Sequence, residues 1–181
     1  VMRPTWHLVA AEDIRWMLKL SAQRIKSAND SFAKGHGVDI SEALFSRLNR
    51  LIEKLLEGNK SLTRQEIEAG LTNEGMTVDN RLMTRFMARA EVEGIVCSGV
   101  DKGKKATYAL LEERVPPVKE LTKDEALATL ALRYFRSHSP ASLTDFVWWS
   151  GLSVTEARTA MGLIDSQLVK ERFEPYELFV H

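Results

Sequence analysis

The stretch LTRQEIEAGL at residues 62–71 has a counterpart, LTDFVWWSGL, at residues 143–152. Both begin with Leu-Thr and end with Gly-Leu at the same spacing. Repetition at a fixed spacing is the sequence signature of a duplicated structural unit. A helix and then a β-hairpin are predicted after each copy, the helices at residues 79–93 and 155–166 and the hairpins at residues 95–110 and 168–180. We therefore predict that the chain contains the same unit twice.

Capping boxes mark the helix starts in both copies. The pattern Ser/Thr-x-x-Glu occurs at residues 63–66, 122–125 and 153–156, and in such a box the first hydroxyl and the last carboxylate each accept a backbone N–H. An amphipathic helix is predicted before each copy, at residues 41–57 and 123–137. Three helices followed by a hairpin, or wing, is the winged helix-turn-helix plan. The predicted fold is mainly α with short β-hairpins (α+β), built from tandem winged helix-turn-helix modules.

These boundaries predict five segments. Residues 41–112 and 122–181 are the two modules, and a proline-rich linker at 113–121 separates them because proline fixes its own φ and restricts the residue before it. Residues 10–40 form a connecting helix. Residues 1–9 are a strand from the wing of a further winged helix upstream, because residues 5–9 are strand-like and the chain begins with Val1. We therefore expect a fragment or a truncated member of a larger protein.

Composition excludes several classes of function. The chain of 181 residues has 25 Lys+Arg and 25 Asp+Glu, so bulk charge indicates no partner and any nucleic-acid surface must be local. One cysteine, Cys97, excludes an internal disulfide framework. No run of 18 apolar residues and no secretory leader occurs. Common enzyme and metal-binding motifs are also absent. We expect a cytoplasmic protein with no cofactor, no metal and no membrane partner.

The first module carries the stronger DNA-binding signal. Arg81, Arg85 and Arg89 follow one another at steps of four on the helix in the recognition position, and guanidinium groups suit phosphate and guanine. The wing turn adds Lys102, Lys104 and Lys105, which would reach phosphates. Alternatively, the arginines form a solvated helix face and the lysines serve solubility.

The second module is poorer in basic residues, and on its recognition-position helix the candidate DNA contact is Arg158. An architectural or protein-facing role is therefore expected, unless Arg133, Arg136 and His138 touch the DNA backbone. Adjacent Trp148 and Trp149 are expected to lie in the core and to pack against a neighbouring domain, because large aromatic side chains dominate core burial.

Three blocks of sequence resemble a known family. They read RPTWHLVAAEDIRW at residues 3–16, RYFRSHSPAS at 133–142 and DFVWWSGL at 145–152. They are similar to the bacterial winged-helix family that includes AlkZ-type DNA glycosylases. The resemblance implies three tandem winged helices in a C-shaped monomer that embraces DNA. It also implies excision of alkylated bases, including those in interstrand crosslinks, by hydrolysis of the N-glycosidic bond without a metal.

The resemblance also bears on catalysis. The family's catalytic pair is a Gln-x-Gln-type motif in the first winged helix, whereas the glutamines here are Gln23, Gln65 and Gln167, none of them paired. We therefore assign no catalytic residue. The family's Arg-x-Thr-x-His strand is matched by Arg3, Thr5 and His7, which would line the DNA-facing cleft. Ser139 replaces the glycine of the family's His-Gly-Pro segment.

The sequence thus predicts a monomer that binds double-stranded DNA and has no glycosylase activity in this form. Two alternatives stay open. The intact parent gene product is a DNA glycosylase that removes alkylated bases, or the winged helices belong to a transcriptional regulator or a protein-interaction scaffold. Regulators usually dimerise on palindromic sites, so a monomer would count against a regulator.

Overall fold

The computed structural model describes residue 2 and residues 7–35, 41–174 and 176–181. Its helices and strands follow one another in the order α1 (Ala11–Gly35), α2 (Glu42–Leu56), β1 (Leu62–Thr63), α3 (Arg64–Asn73), α4 (Asn80–Val92), β2 (Val96–Ser98), β3 (Thr107–Leu110), α5 (Leu111–Arg114), α6 (Lys123–His138), α7 (Leu143–Ser150), α8 (Val154–Gly162), β4 (Val169–Phe173) and β5 (Tyr176–Val180). The fold is mainly helical with two small antiparallel sheets, which confirms the predicted fold class.

The first module consists of α2, α3 and α4 and a three-stranded sheet in the order β1-β3-β2. The apolar faces of its helices meet in one core, whose fully buried members include Leu48, Ile52, Ile67, Met83 and Phe86. The strand β1 was not predicted, because two residues are too short to show a strand pattern. It forms because Leu62 and Thr63 pair with the far strand of the hairpin.

The second module repeats this arrangement with α6, α7, α8 and the hairpin β4–β5. Ala141 makes an isolated antiparallel bridge to Phe179 in the place that β1 takes in the first module. A capping box that the sequence analysis missed starts α7, since Ser142 caps the helix and the third residue is Asp145 rather than Glu. The helix ends at Gly151, whose φ of 68° is left-handed and favours glycine. The second set of elements thus has the same order as the first, three helices followed by a hairpin.

The helix α1 connects the two modules. Its 25 residues pack against α4 of the first module and α6 of the second. Immediately before it, residues 7–10 form no strand, and the Leu8 side chain is fully exposed. The predicted strand would pair with a wing strand of the upstream winged helix, so it stays a prediction for residues 7–9. Residue 1 and residues 3–6 of the predicted strand lie outside the described residues.

A polar contact within the apolar interface joins α1 to α6. Asp13 is 7% exposed and accepts a hydrogen bond of 3.0 Å from the indole Nε1 of Trp16. Its other carboxylate oxygen pairs with Arg133 of α6, whose guanidinium lies 5.8 Å from the centre of the Trp16 ring. A buried carboxylate is stable only when it is paired and hydrogen-bonded. This contact therefore sets the position of the second module on α1.

Replacing Arg133 by glutamine is expected to lower the free energy of unfolding by about 2 kcal/mol. The change leaves the Asp13 carboxylate buried without its cation, and removal of one partner from a fully buried pair costs about 3–5 kcal/mol, here reduced because the Arg133 side chain is 54% exposed. Urea denaturation measures the change. The matched control is Arg136→Gln on the same helix, where the side chain is exposed and its described partner is His181. Equal stability of the two variants would contradict a stabilising role for the contact between Asp13 and Arg133.

Candidate nucleic-acid interface

The helix α4 occupies the recognition position of the first module. One face of this helix is buried in the core and carries Met83, Phe86, Met87 and Ala90. Asp79 caps its N-terminus by accepting a hydrogen bond of 2.7 Å from the backbone N–H of Leu82. Since α1 packs along a second face of α4, only part of the helix surface is open to a ligand.

Arg89 lies on the covered part of α4. Its side chain is 10% exposed, its guanidinium donates hydrogen bonds to the carboxylates of Glu42 and Glu93, and it sits 3.9 Å from the centre of the Phe45 ring. The hydrogen bond to Glu42 raises the pKa of the guanidinium above its usual value. In this structure Arg89 is therefore buried against α2 and is not exposed to a ligand, so the predicted DNA contact of Arg89 has no support from its environment.

Arg85 is also turned towards α1. It donates hydrogen bonds to the carboxylate of Asp30, at 3.0 Å, and to the backbone carbonyl of Asn29, at 3.3 Å, and its side chain is 13% exposed. The three arginines share a helix side as their spacing requires, yet the packing of α1 over that side removes Arg85 from solvent as well. Of the predicted row, Arg81 is the exposed member.

A residue that the sequence analysis did not select organises the open part of α4. Arg64, the first residue of α3, donates hydrogen bonds to the backbone carbonyl and the side-chain oxygen of Asn80, at 2.8 and 2.6 Å, and to the Thr84 hydroxyl at 2.8 Å. It thereby joins the start of α3 to the start of α4. The one sequence signal for Arg64 was its position directly after the Thr63 cap.

The wing reaches the same end of α3. Lys102 pairs with Lys105 across its tip, where Gly103 has a left-handed φ of 64°. The Nζ atom of Lys102 lies 2.7 and 2.9 Å from the two carboxylate oxygens of Glu66, and that of Lys105 donates to Gln65 at 3.3 Å. Lys104 is exposed and makes no hydrogen bond or ion pair among the described residues.

Glu66 is strongly held at this position. The hydrogen bond from Lys102 lowers the pKa of the Glu66 carboxyl to about 2, assisted by the backbone N–H and the hydroxyl of Thr63 in the capping box. The carboxylate is therefore ionised at neutral pH and loses its charge only when the pH falls through about 2.

These contacts link the first turn of α3 both to the start of α4, through Arg64, and to the tip of the hairpin β2–β3, through Lys102 and Lys105. We group the basic residues of these three parts as one candidate surface. We call it the wing–α4 surface and define its basic members as Arg64, Arg81, Lys102, Lys104 and Lys105. Four of these five were predicted from the sequence, and Arg64 was not. The link between α3 and α4 depends on the hydrogen bonds of Arg64, and the link between α3 and the wing depends on the ion pair between Lys102 and Glu66.

The second module presents fewer groups of this kind. Arg158 is exposed on α8 as a separate cation. Trp149 is half-buried against the Tyr134 and His138 rings, whereas Trp148 is 77% exposed. Trp148 is therefore not a core residue of this module, which corrects that part of the expectation, whereas packing against a neighbouring domain stays a prediction. Neighbouring side chains on a helix point about 100° apart, so two adjacent large residues rarely face the same core.

The remaining candidates are dispersed. His7 is half-buried, and Arg3 and Thr5 lie outside the described residues. The three glutamines lie on separate elements, Gln23 on α1, Gln65 on α3 and Gln167 in the turn after α8. Within the described part of the chain, no group of His, Cys, Asp and Glu side chains is arranged to hold a metal ion. No helix there is long and apolar enough to cross a membrane.

The fold places the chain in the class of mainly helical α+β proteins with small antiparallel sheets, an architecture consistent with winged-helix-like modules. Within that class it belongs to the DNA glycosylase AlkZ-like family, whose model matches residues 1–181. A search of curated proteins gives no match. Among solved structures, the DNA glycosylase AlkZ of Streptomyces sahachiroi superposes with a TM-score of 0.72 at 22% identity. The match covers 96% of this chain and 49% of that one, so this chain spans about half the length of its solved relative.

Proposed function

We propose that this chain binds double-stranded DNA through the wing–α4 surface and serves as the DNA-holding part of a DNA glycosylase. One observation carries the proposal. The contacts of Arg64 and Glu66 hold the start of a recognition-position helix and the tip of a wing against the same first turn of α3, and both carry exposed cations. Cations spaced in this way suit the phosphates of a duplex, which supply most of the sequence-independent affinity for DNA.

The members of the surface have different roles in this proposal. Arg81 and Lys104 are exposed, and they contact phosphates directly. Lys102 and Lys105 reach phosphates by giving up their contacts to α3. Arg64 is a positioning residue, because its side chain holds α4 against α3 and is two-thirds covered. Arg85 and Arg89 stabilise the module and do not touch DNA.

Further contacts lie outside this surface. Arg158 provides a weaker contact from the second module, and Arg3, Thr5 and His7 face the DNA cleft as the family's strand does. We further propose that the protein works as a monomer in the cytoplasm. Base excision requires the glutamine pair that the family resemblance implies, which Gln23, Gln65 and Gln167 do not form. The excision of alkylated bases is therefore assigned to a longer protein that contains this chain.

The first test is a measurement of duplex binding by this chain, with fluorescence anisotropy recorded at several salt concentrations. We expect binding whose affinity falls steeply with salt, because each neutralised phosphate contributes a slope of about 0.9 in log K against log salt. A slope of about 3 to 5 corresponds to the members of the wing–α4 surface. Absence of binding at low salt would contradict the proposal and would favour a protein-interaction role, with the exposed Trp148 as the first residue to examine.

A further inference from the structure

The wing–α4 surface contains a carboxylate at the point where phosphates are expected. Glu66 is the third residue of α3 and is 44% exposed, beside the 45% exposed Lys102 of the wing. A negative charge among cations that bind a polyanion weakens that binding by repulsion. The presence of Glu66 at this position therefore needs an explanation beyond helix capping.

The two oxygens of Glu66 have different partners. Oε2 accepts hydrogen bonds from the backbone N–H and the hydroxyl of Thr63, at 2.7 and 2.9 Å, and so completes the capping box. Oε1 faces Lys102 at 2.7 Å, and Lys102 also reaches Oε2 at 2.9 Å. The capping box keeps the carboxylate in place whether or not Lys102 is paired with it. The ion pair itself is exposed, and exposed pairs of this kind contribute little stability, so Lys102 can exchange its partner.

We propose that Glu66 is a built-in competitor for DNA phosphate: it pairs with Lys102 in the free protein, yields Lys102 to a phosphate in the complex, and so limits the affinity of the wing for any duplex. This inference rests on the proposed function. No covalent change is involved, since the exchange replaces a carboxylate by a phosphate at the same ammonium group. A protein that must move between sites gains from such a limit, because tight sequence-independent binding slows its release.

The test compares duplex affinity for the wild-type chain, Glu66→Gln and Glu66→Gln/Lys102→Gln by anisotropy at about 0.1 M salt. Glutamine preserves the capping box, which accepts Glu or Gln at this position, and removes the charge. We expect Glu66→Gln to bind about three- to tenfold more tightly and the double variant to lose this gain. The matched control is Glu125→Gln, the same change at the same helix position in the second module, where the carboxylate completes the Thr122 capping box.

Three results would overturn the inference. They are unchanged or weaker binding by Glu66→Gln with its melting temperature retained, a gain that survives the loss of Lys102, and an equal gain in Glu125→Gln. Failure of the wild-type chain to bind DNA would overturn the proposed function and the inference together. An NMR titration of the free protein separates the two ideas, because the Glu66 pKa of about 2 should rise in Lys102→Gln only if the ion pair exists.

Discussion

Replacing Arg89 by alanine is expected to lower the free energy of unfolding by about 3 kcal/mol while leaving duplex affinity unchanged. The guanidinium is 10% exposed and lies on the Phe45 ring, so its removal deletes packing as well as charge. Glu93 keeps its contact with Lys26 at 2.6 Å but loses Arg89. Removing one partner of a buried pair costs about 3–5 kcal/mol, and the exposed Glu42 carboxylate brings the expected loss to the lower end.

The measurement is urea denaturation, with duplex anisotropy on the same preparations. Arg81→Ala is the control on the same helix, where we expect stability within about 0.5 kcal/mol of the wild-type chain and a loss of affinity. The opposite pattern, a stable Arg89→Ala chain with weakened binding, would restore the row of three arginines as the DNA contact. Arg89→Ala and Arg81→Ala are tested separately, because in a variant that carries both changes a loss of stability could not be told from a loss of DNA contact.

Reversing the charge of both exposed cations, Arg81→Glu with Lys104→Glu, is expected to weaken duplex binding by about 10- to 100-fold at 0.1 M salt. Each substitution removes a phosphate contact and adds a repulsive charge, and each lost contact lowers the salt slope by about 1. Folding should be retained, because both side chains are exposed and make no ion pair among the described residues. Anisotropy across a salt series measures both quantities.

The matched control is Arg114→Glu with Lys119→Glu, which changes the net charge equally at exposed positions of α5 and the linker. We expect a loss of affinity of less than about threefold, since neither residue belongs to the wing–α4 surface and salt weakens the effect of charges that do not contact the duplex. An equal loss in both double variants would show that only net charge matters and would contradict a defined wing–α4 surface. An unchanged salt slope in Arg81→Glu/Lys104→Glu would also contradict a defined wing–α4 surface.

Local signals in the sequence located most of the elements. The capping boxes at Thr63, Thr122 and Ser153 start the helices α3, α6 and α8 as predicted, because a cap depends on residues within one helical turn. The hairpins formed for a similar reason, since their turns lie in short polar segments. Local patterns did not predict α5 and β1, because these elements are too short to show one. They also did not predict the capping box of α7, because its third residue is Asp145 rather than Glu.

The candidate site was predicted less well than the fold. Helical spacing placed Arg81, Arg85 and Arg89 on one side of α4 but carried no information on what covers that side. In the structure, Asp30 pairs with Arg85 and Glu42 pairs with Arg89, across 55 and 47 positions of sequence, and these contacts cover that side of the helix. Likewise, Trp148 and Trp149 are equivalent in sequence, and only their directions from α7 decide that one packs and the other is exposed.

The sequence by itself determined the duplicated module, the helix starts, the wings and the family resemblance, since each depends on periodicity and hydrogen bonding over a few residues. The tertiary structure alone decided which cations are available to a ligand. Burial and ion pairing join residues far apart in the chain, as Asp13 and Arg133 are joined across 120 positions, and these contacts exist only once the helices have packed. Arg81 and the three wing lysines are the part of the predicted basic face that this packing leaves open to solvent.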